Sequence, residues 1–290
     1  MKKTTKMAAL MLALAMMTTT LTACGSNADS KSSSTATDTT ITNSQTPENT
    51  PADTDTQEAT PETDNTLTFG TNAEFPPFEF VASSGVIDQY DGIDMAIAKQ
   101  IAEANGMTAA IENMEFDSLL VALQNGQIDA AIAGMTVTDE RKEEADFSIS
   151  YYTATQVMVV KEDSDITSAA DMADKKICVI QGYTGEICVK DMGYPYEAFK
   201  KGTDAIMELV NGKCDVVVLD SATSQKYVSD NEGLKIVEDP SAFESEEYAI
   251  AVKKGNTELL DKINTAIDAM LADGTIAELG AKYTEELSAE

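Results

Sequence analysis

The 290-residue sequence contains no histidine and no tryptophan. Without histidine there is no Ser-His-Asp or Cys-His catalytic apparatus, and no zinc site of the histidine-containing kind. Basic residues are scarce as well, Lys+Arg totalling 20 against 50 Asp+Glu for a formal charge of -30. So acidic a chain does not track nucleic-acid backbones, and no nucleic acid is expected among its partners. Of the four cysteines, Cys24 stands apart from Cys178, Cys188 and Cys214, whose long spacings argue against a metal centre. Three thiols permit one intrachain disulfide at most, and small buried hydrophobes are the other reading. No metal and no cofactor is expected.

Long apolar runs are also missing. The stretch from Met7 to Met17, preceded by Lys2, Lys3 and Lys6, is too short to anchor a bilayer span but suits a secretory h-region. The Leu21-Thr-Ala-Cys24 that follows resembles a bacterial lipoprotein cleavage box. Residues 1–23 are therefore expected to be a signal peptide. Cys24 would then carry acyl chains that hold the protein to the outer face of the cell membrane. Between residues 25 and 66 one Lys faces eight acids and large apolar side chains are nearly absent. Such a segment cannot offset its ordering entropy, so 24–66 reads as a disordered acidic tether.

The remaining 224 residues can bury a substantial core yet leave room for two lobes. Leu67 to Thr71 reads as a strand, Ile93 to Ala104 as a helix on the spacing of Ile93, Ile97 and Ile101, Phe116 to Asn125 as a second helix, and Ile128 to Ala133 as a buried strand. This β-α-β-α-β rhythm has an echo. Leu123-Gln-Asn-Gly-Gln-Ile-Asp129 followed by Ala-Ala-Ile returns as Leu209-Val-Asn-Gly-Lys-Cys-Asp215 followed by Val-Val-Val. In each, Asn-Gly ends a helix and Asp opens a strand of a sheet covered on both faces. Strands at Thr155 to Val160 and Tyr248 to Val252 would cross between the lobes as a two-strand hinge, returning helices Leu259 to Leu271 and Ile276 to Tyr283 to the first lobe. The expectation is an α/β chain of two lobes with an interlobe cleft, lobe 1 comprising 67–154 plus 247–290 and lobe 2 comprising 155–246.

Over residues 67 to 285 the sequence resembles the family 3 extracellular solute-binding proteins, the polar amino-acid receptors of ABC importers, which implies an α/β fold of the periplasmic-binding-protein kind. The likeness rests on Gly70-Thr-Asn-Ala-Glu-Phe-Pro-Pro-Phe-Glu-Phe80, Gly92-Ile-Asp-Met-Ala96, Asp129 to Arg141, Gln181-Gly-Tyr-Thr-Gly185 and Asp215-Val-Val-Val-Leu-Asp220, taken in order. Ala96 departs from the second acid usual in the family. A zwitterionic ligand needs a cation or amide donors for its carboxylate and an anion or carbonyls for its ammonium. Arg141 has the planar fork for the carboxylate, although an Arg beside Lys142 also reads as a solvated surface charge. Thr138 before it is placed to cap a helix.

The resemblance makes Arg141 the carboxylate clamp. Gly134 and Thr136, which alone could be a plain turn, become contacts at a strand's carboxyl end. Thr184 lies in a strand-to-helix loop whose amides can form an anion nest. Asp220, which could merely cap a helix, takes the place of the family's ammonium-binding carboxylate. Phe75 and Phe116 correspond to the aromatic pair covering the ligand's stem, although composition alone would put them in the core. Asn72 stands where relatives for cationic or amide side chains often carry Asp. It points to an uncharged polar amino acid such as glutamine or cystine, with Glu74, Gln156 and Tyr183 placed to modify that preference. A monomer that hands its amino acid to the transmembrane subunits of an ABC permease is thus implied. The alternatives are a dehydratase for prephenate-like acids and a stand-alone sensor lipoprotein, since fold alone does not decide function.

Overall fold

The computed structural model describes residues 65–288. The expected signal peptide, Cys24 and nearly all of the tether lie outside the described residues. The first part of the chain forms β1 (Thr66–Thr71), β2 (Glu74–Phe75), β3 (Glu79–Val81), β4 (Tyr90–Asp91), α1 (Ile93–Ala104), β5 (Thr108–Asn113), α2 (Leu119–Asn125), β6 (Ala130–Ala131), α3 (Asp139–Glu144) and β7 (Ala145–Phe147). There follow β8 (Tyr152–Lys161), β9 (Ile177–Ile180), α4 (Thr184–Asp191), β10 (Tyr196–Phe199), α5 (Gly202–Val210), β11 (Val216–Asp220), α6 (Ser221–Asp230), β12 (Leu234–Val237) and β13 (Ser245–Tyr248). The chain then adds β14 (Ala251–Lys253), α7 (Thr257–Ala272) and α8 (Thr275–Ser288).

Two sheets organise these elements. The first runs β5-β1-β6-β14-β7, and the second runs β10-β9-β11-β8-β12 with β13 also paired to β8. A small β2-β3-β4 sheet accompanies the first. Strand β11 is buried along its whole length. Val216 and Val218 pack on the side of Val189 from α4, while Val217 and Leu219 join Ile206 and Leu209 from α5 on the other face. That double covering is why the run contains no polar residue before Asp220. In the first sheet α2 covers one face through Leu119 and Leu123, and α1 the other through Ile97 and Ile101 against Ile263 and Ile267 of α7.

The sequence echo has a structural meaning. Asp129 accepts a hydrogen bond from the Thr68 amide at 2.8 Å, and Asp215 accepts one from the Lys176 amide at 2.8 Å. In both, the Asp amide returns a bond to the carbonyl of that same residue at 2.9 Å. Each carboxylate thereby locks the mouth of its strand to the neighbouring parallel strand, and Gly126 and Gly212 supply the left-handed residue before it.

Several expected boundaries shift. The helix expected at Phe116 opens with a tight turn over Phe116–Ser118 before α2. Only Ala130–Ala131 of the expected Ile128 to Ala133 strand enters a ladder, although Ile128 and Ile132 are buried. The expected Tyr248 to Val252 strand is two strands. Tyr248 ends β13 in the second sheet and Ala251 begins β14 in the first. Between them the Ala249 amide bonds the Met135 carbonyl and the Ile250 amide bonds Ser148 Oγ, so the ladder is interrupted where the chain changes sheets. Antiparallel β8 and β13, with Tyr152 opposite Tyr248, form the double crossing. Its packing is aromatic, with Tyr152 stacked on Tyr248 at 5.7 Å and Phe78 edge-on to Tyr248 at 5.2 Å.

Candidate binding site between the lobes

The cleft residues come from the ends of strands and the starts of helices. Thr138 caps α3 by accepting from the Arg141 amide, placing Arg141 as the one buried residue of that helix. Its Nη1 donates to the Thr136 carbonyl at 2.7 Å and its Nη2 crosses the cleft to the Gly182 carbonyl at 2.9 Å. The guanidinium also lies over the Phe116 ring, 5.1 Å from its centroid. Burial lowers its pKa, while the carboxylates of Asp220 and Glu246 act in the opposite direction and favour the cation. This is a fixed, desolvated positive charge, not a surface one.

Asp220 ends β11 and precedes α6, but its side chain makes no capping bond. It accepts instead from the Tyr248 hydroxyl at 2.5 Å and is 3 % exposed. Its pKa is pushed up to about 7, first by burial and then by the charge of Glu246, against the pull of the bonds from Tyr248 and Gln156. A carboxyl so placed gains from any cation brought to it.

Thr136 and Thr184 face each other across the cleft through a shared acceptor that the sequence did not single out. Glu246 Oε2 accepts from Thr136 Oγ1 at 2.9 Å, Thr184 Oγ1 at 2.7 Å and Gln156 Nε2 at 3.3 Å. The signal for it lay in alternation, because Glu246 is two residues before buried Tyr248 and so points to the same side of β13. The loop amides are only partly free for an anion, since Glu186 accepts from the Gly182 amide at 2.6 Å. Gly134 has φ +51, and a Cβ there would come within 2.5 Å of the Phe75 ring. Its amide donates to Asp94 Oδ2 at 2.8 Å.

Phe75, Phe116, Gly134, Thr136, Arg141, Thr184 and Asp220 line a single cavity, together with Tyr183. Asn72 adjoins it through Tyr183, whose hydroxyl donates to Asn72 Oδ1 at 3.0 Å. The cavity measures about 10 Å³, room for roughly one water. Thr136, Thr184 and Glu246 also border a wider groove of about 600 Å³ that opens outward. The thiols of Cys178, Cys188 and Cys214 are free, and burial pushes the Cys188 thiol up to about 11.

Known proteins share this architecture. The arginine-, lysine-, histidine-binding protein ArtJ of Geobacillus stearothermophilus is 34 % identical, with a TM-score of 0.71 over 75 % of this chain and 94 % of its own. An ancestral arginine-binding protein bound to glutamine is 42 % identical, with a TM-score of 0.70 over 76 % and 97 %. Among relatives, the arginine-binding extracellular protein ArtP of Bacillus subtilis is 32 % identical over 75 % of this chain and 85 % of its own. The glutamine-binding protein GlnH of the same organism is 33 % identical over 72 % and 77 %. The model for one family matches residues 67–286, spanning both sheets and every cleft residue above. With its two lobes and double crossing, the chain belongs to the bacterial extracellular solute-binding proteins, family 3.

Proposed function

We propose that the chain is the binding component of an ABC importer, a non-catalytic receptor that closes its lobes on an α-amino acid and presents it to the permease. The observation that carries this reading is the pairing of a buried Arg141 with a buried, cation-seeking Asp220 in one cavity, flanked by two threonine hydroxyls. A zwitterion presents the complementary charges at one carbon. Arg141 and the hydroxyls of Thr136 and Thr184 would take the carboxylate, Asp220 the ammonium, and the two lobes 67–154 plus 247–290 and 155–246 would close about β8 and β13. No fixed side-chain charge lies at Asn72, which favours a ligand with an uncharged side chain. Cys24 would hold this monomeric receptor to the outer membrane face through its acyl chains.

Titration calorimetry of the ligand-stripped protein against the twenty amino acids and cystine tests the reading. One-to-one binding is expected, and Arg141→Ala should weaken it by roughly 30-fold to several thousand-fold, the effect of about 2–5 kcal/mol for an unpaired buried charge. Absence of binding to every amino acid would defeat it, and turnover of a prephenate-like acid would replace it with the dehydratase. The same preparation reports the anchor, because Cys24→Ala should release the protein from membranes.

A further inference from the structure

The slot that would receive a ligand's side chain is occupied by the protein itself. Tyr183 precedes α4 in the second lobe, yet its ring enters the first lobe, edge-on to Phe75 at 5.4 Å and to Phe116 at 4.7 Å. Its hydroxyl ends on Asn72 Oδ1, and Asn72 Nδ2 is spent on the Met114 carbonyl at 3.0 Å. The aromatic pair and the amide that would grip a side chain are thus already gripping a phenol, which is 7 % exposed. Beside Arg141 and Asp220 the closed cleft keeps only about 10 Å³. A head-group carboxylate can enter there by taking the place of the Glu246 carboxylate on the two threonine hydroxyls. A long side chain would have to evict Tyr183 from three partners at once.

We propose that Tyr183 sets the ligand class by plugging the side-chain slot, so that the receptor takes small α-amino acids such as glycine, alanine or serine and excludes glutamine, cystine and arginine. This rests on the amino-acid reading above and narrows the uncharged ligand it infers to a small one. Serine at position 183 would empty the slot and keep the loop, because serine is a favoured residue immediately before a helix.

The test is calorimetry of wild type, Tyr183→Ser and Tyr183→Phe against glycine, alanine, serine, glutamine, cystine and arginine. Wild type and Tyr183→Phe are expected to bind one of the small ligands and to bind the long ones about 100-fold more weakly or not at all, steric discrimination of the size hydrophobic pockets achieve. Tyr183→Ser should gain glutamine or arginine. If wild type binds a long amino acid as tightly as Tyr183→Ser does, the plug swings aside and the inference is overturned while the receptor reading stands. If neither protein binds any amino acid, the receptor reading itself falls and takes the inference with it.

Discussion

Asp220 joins fold and function through a single proton. Burial favours its neutral form and Glu246 adds repulsion, which together raise its pKa to about 7. The groups facing it are Tyr248, Gln156, Glu246 and the cation of Arg141. On the proposed reading a ligand ammonium meets Asp220, favours its ionised form and pulls that pKa down. The sign follows: affinity is full above pH about 7 and falls toward acid, by up to about tenfold per pH unit, as protonated Asp220 must first give up its proton. Binding at pH 7 should release a fraction of a proton, visible as a dependence of calorimetric heat on the ionisation enthalpy of the buffer. Asp220→Asn should bind weakly with a flat pH profile. A wild-type affinity constant from pH 5 to 8 would place the ammonium elsewhere.

Between β3 and α1 lies a second pair of acids, Glu79 and Asp94, both fully buried. Asp94 Oδ2 accepts from the Gly134 amide and from Tyr151 Oη, each at 2.8 Å, and so fixes the turn that carries Gly134 into the cleft. Both oxygens of Glu79 and Oδ1 of Asp94 lack a donor as long as the two are ionised. A protonated Glu79 supplies one, in keeping with its pKa being raised well above the usual value by burial and then by Asp94. Asp94 itself is raised to about 6. Because the folded pKa of Glu79 lies above the unfolded one, its contribution to stability is whole below pH about 4.5 and is lost as pH rises toward the folded value. Glu79→Gln keeps the donor and cannot ionise. Its melting temperature should match wild type near pH 4 and exceed it increasingly toward pH 8, whereas Glu79→Leu should cost about 1–3 kcal/mol by orphaning Asp94. A Glu79→Gln protein less stable than wild type across that range would show that the pair is not sharing a proton.

Elements with strong local periodicity were legible in the sequence, and α1 begins and ends where the spacing of Ile93, Ile97 and Ile101 puts it. The break at Ala249–Ile250 was not, because the run Tyr248 to Val252 is uniformly apolar and only partners distant in sequence, Met135 and Ser148, interrupt it. Among the cleft residues, motif order picked out those at strand ends and helix starts. Glu246 stayed hidden in the acidic stretch Glu244 to Glu247, where its alternation with Tyr248 becomes a signal once β13 is known to pair with β8. Tyr183 was visible as a residue able to tune preference. That its ring crosses the cleft depends on the approach of the two lobes, which no local pattern encodes.

At the scale of the whole molecule, the cleft is bridged by the protein's own groups. Arg141 reaches Gly182, Tyr183 reaches Asn72, Tyr227 Oη donates to the Glu74 carbonyl at 3.2 Å, and Glu246 joins Thr136 to Thr184. The exposed Lys201–Glu74 pair at 2.7 Å adds little, as such pairs generally do. Glu246 differs from the others because it rises from the hinge strand and offers one oxygen to hydroxyls of both lobes, as a ligand carboxylate would. On the proposed reading it competes with a ligand carboxylate for those hydroxyls and adds to the closed population before ligand binds. Removing it should bias the ligand-free protein toward the open state, since among the described residues no other group bonds both threonine hydroxyls. Small-angle X-ray scattering should show the wild-type radius of gyration falling as ligand is added. Glu246→Ala should show a larger radius when empty and return to the wild-type value at saturating ligand. An empty Glu246→Ala protein as compact as wild type would mean that Arg141 and Tyr183 suffice to keep the lobes together, and that Glu246 serves the bound ligand alone.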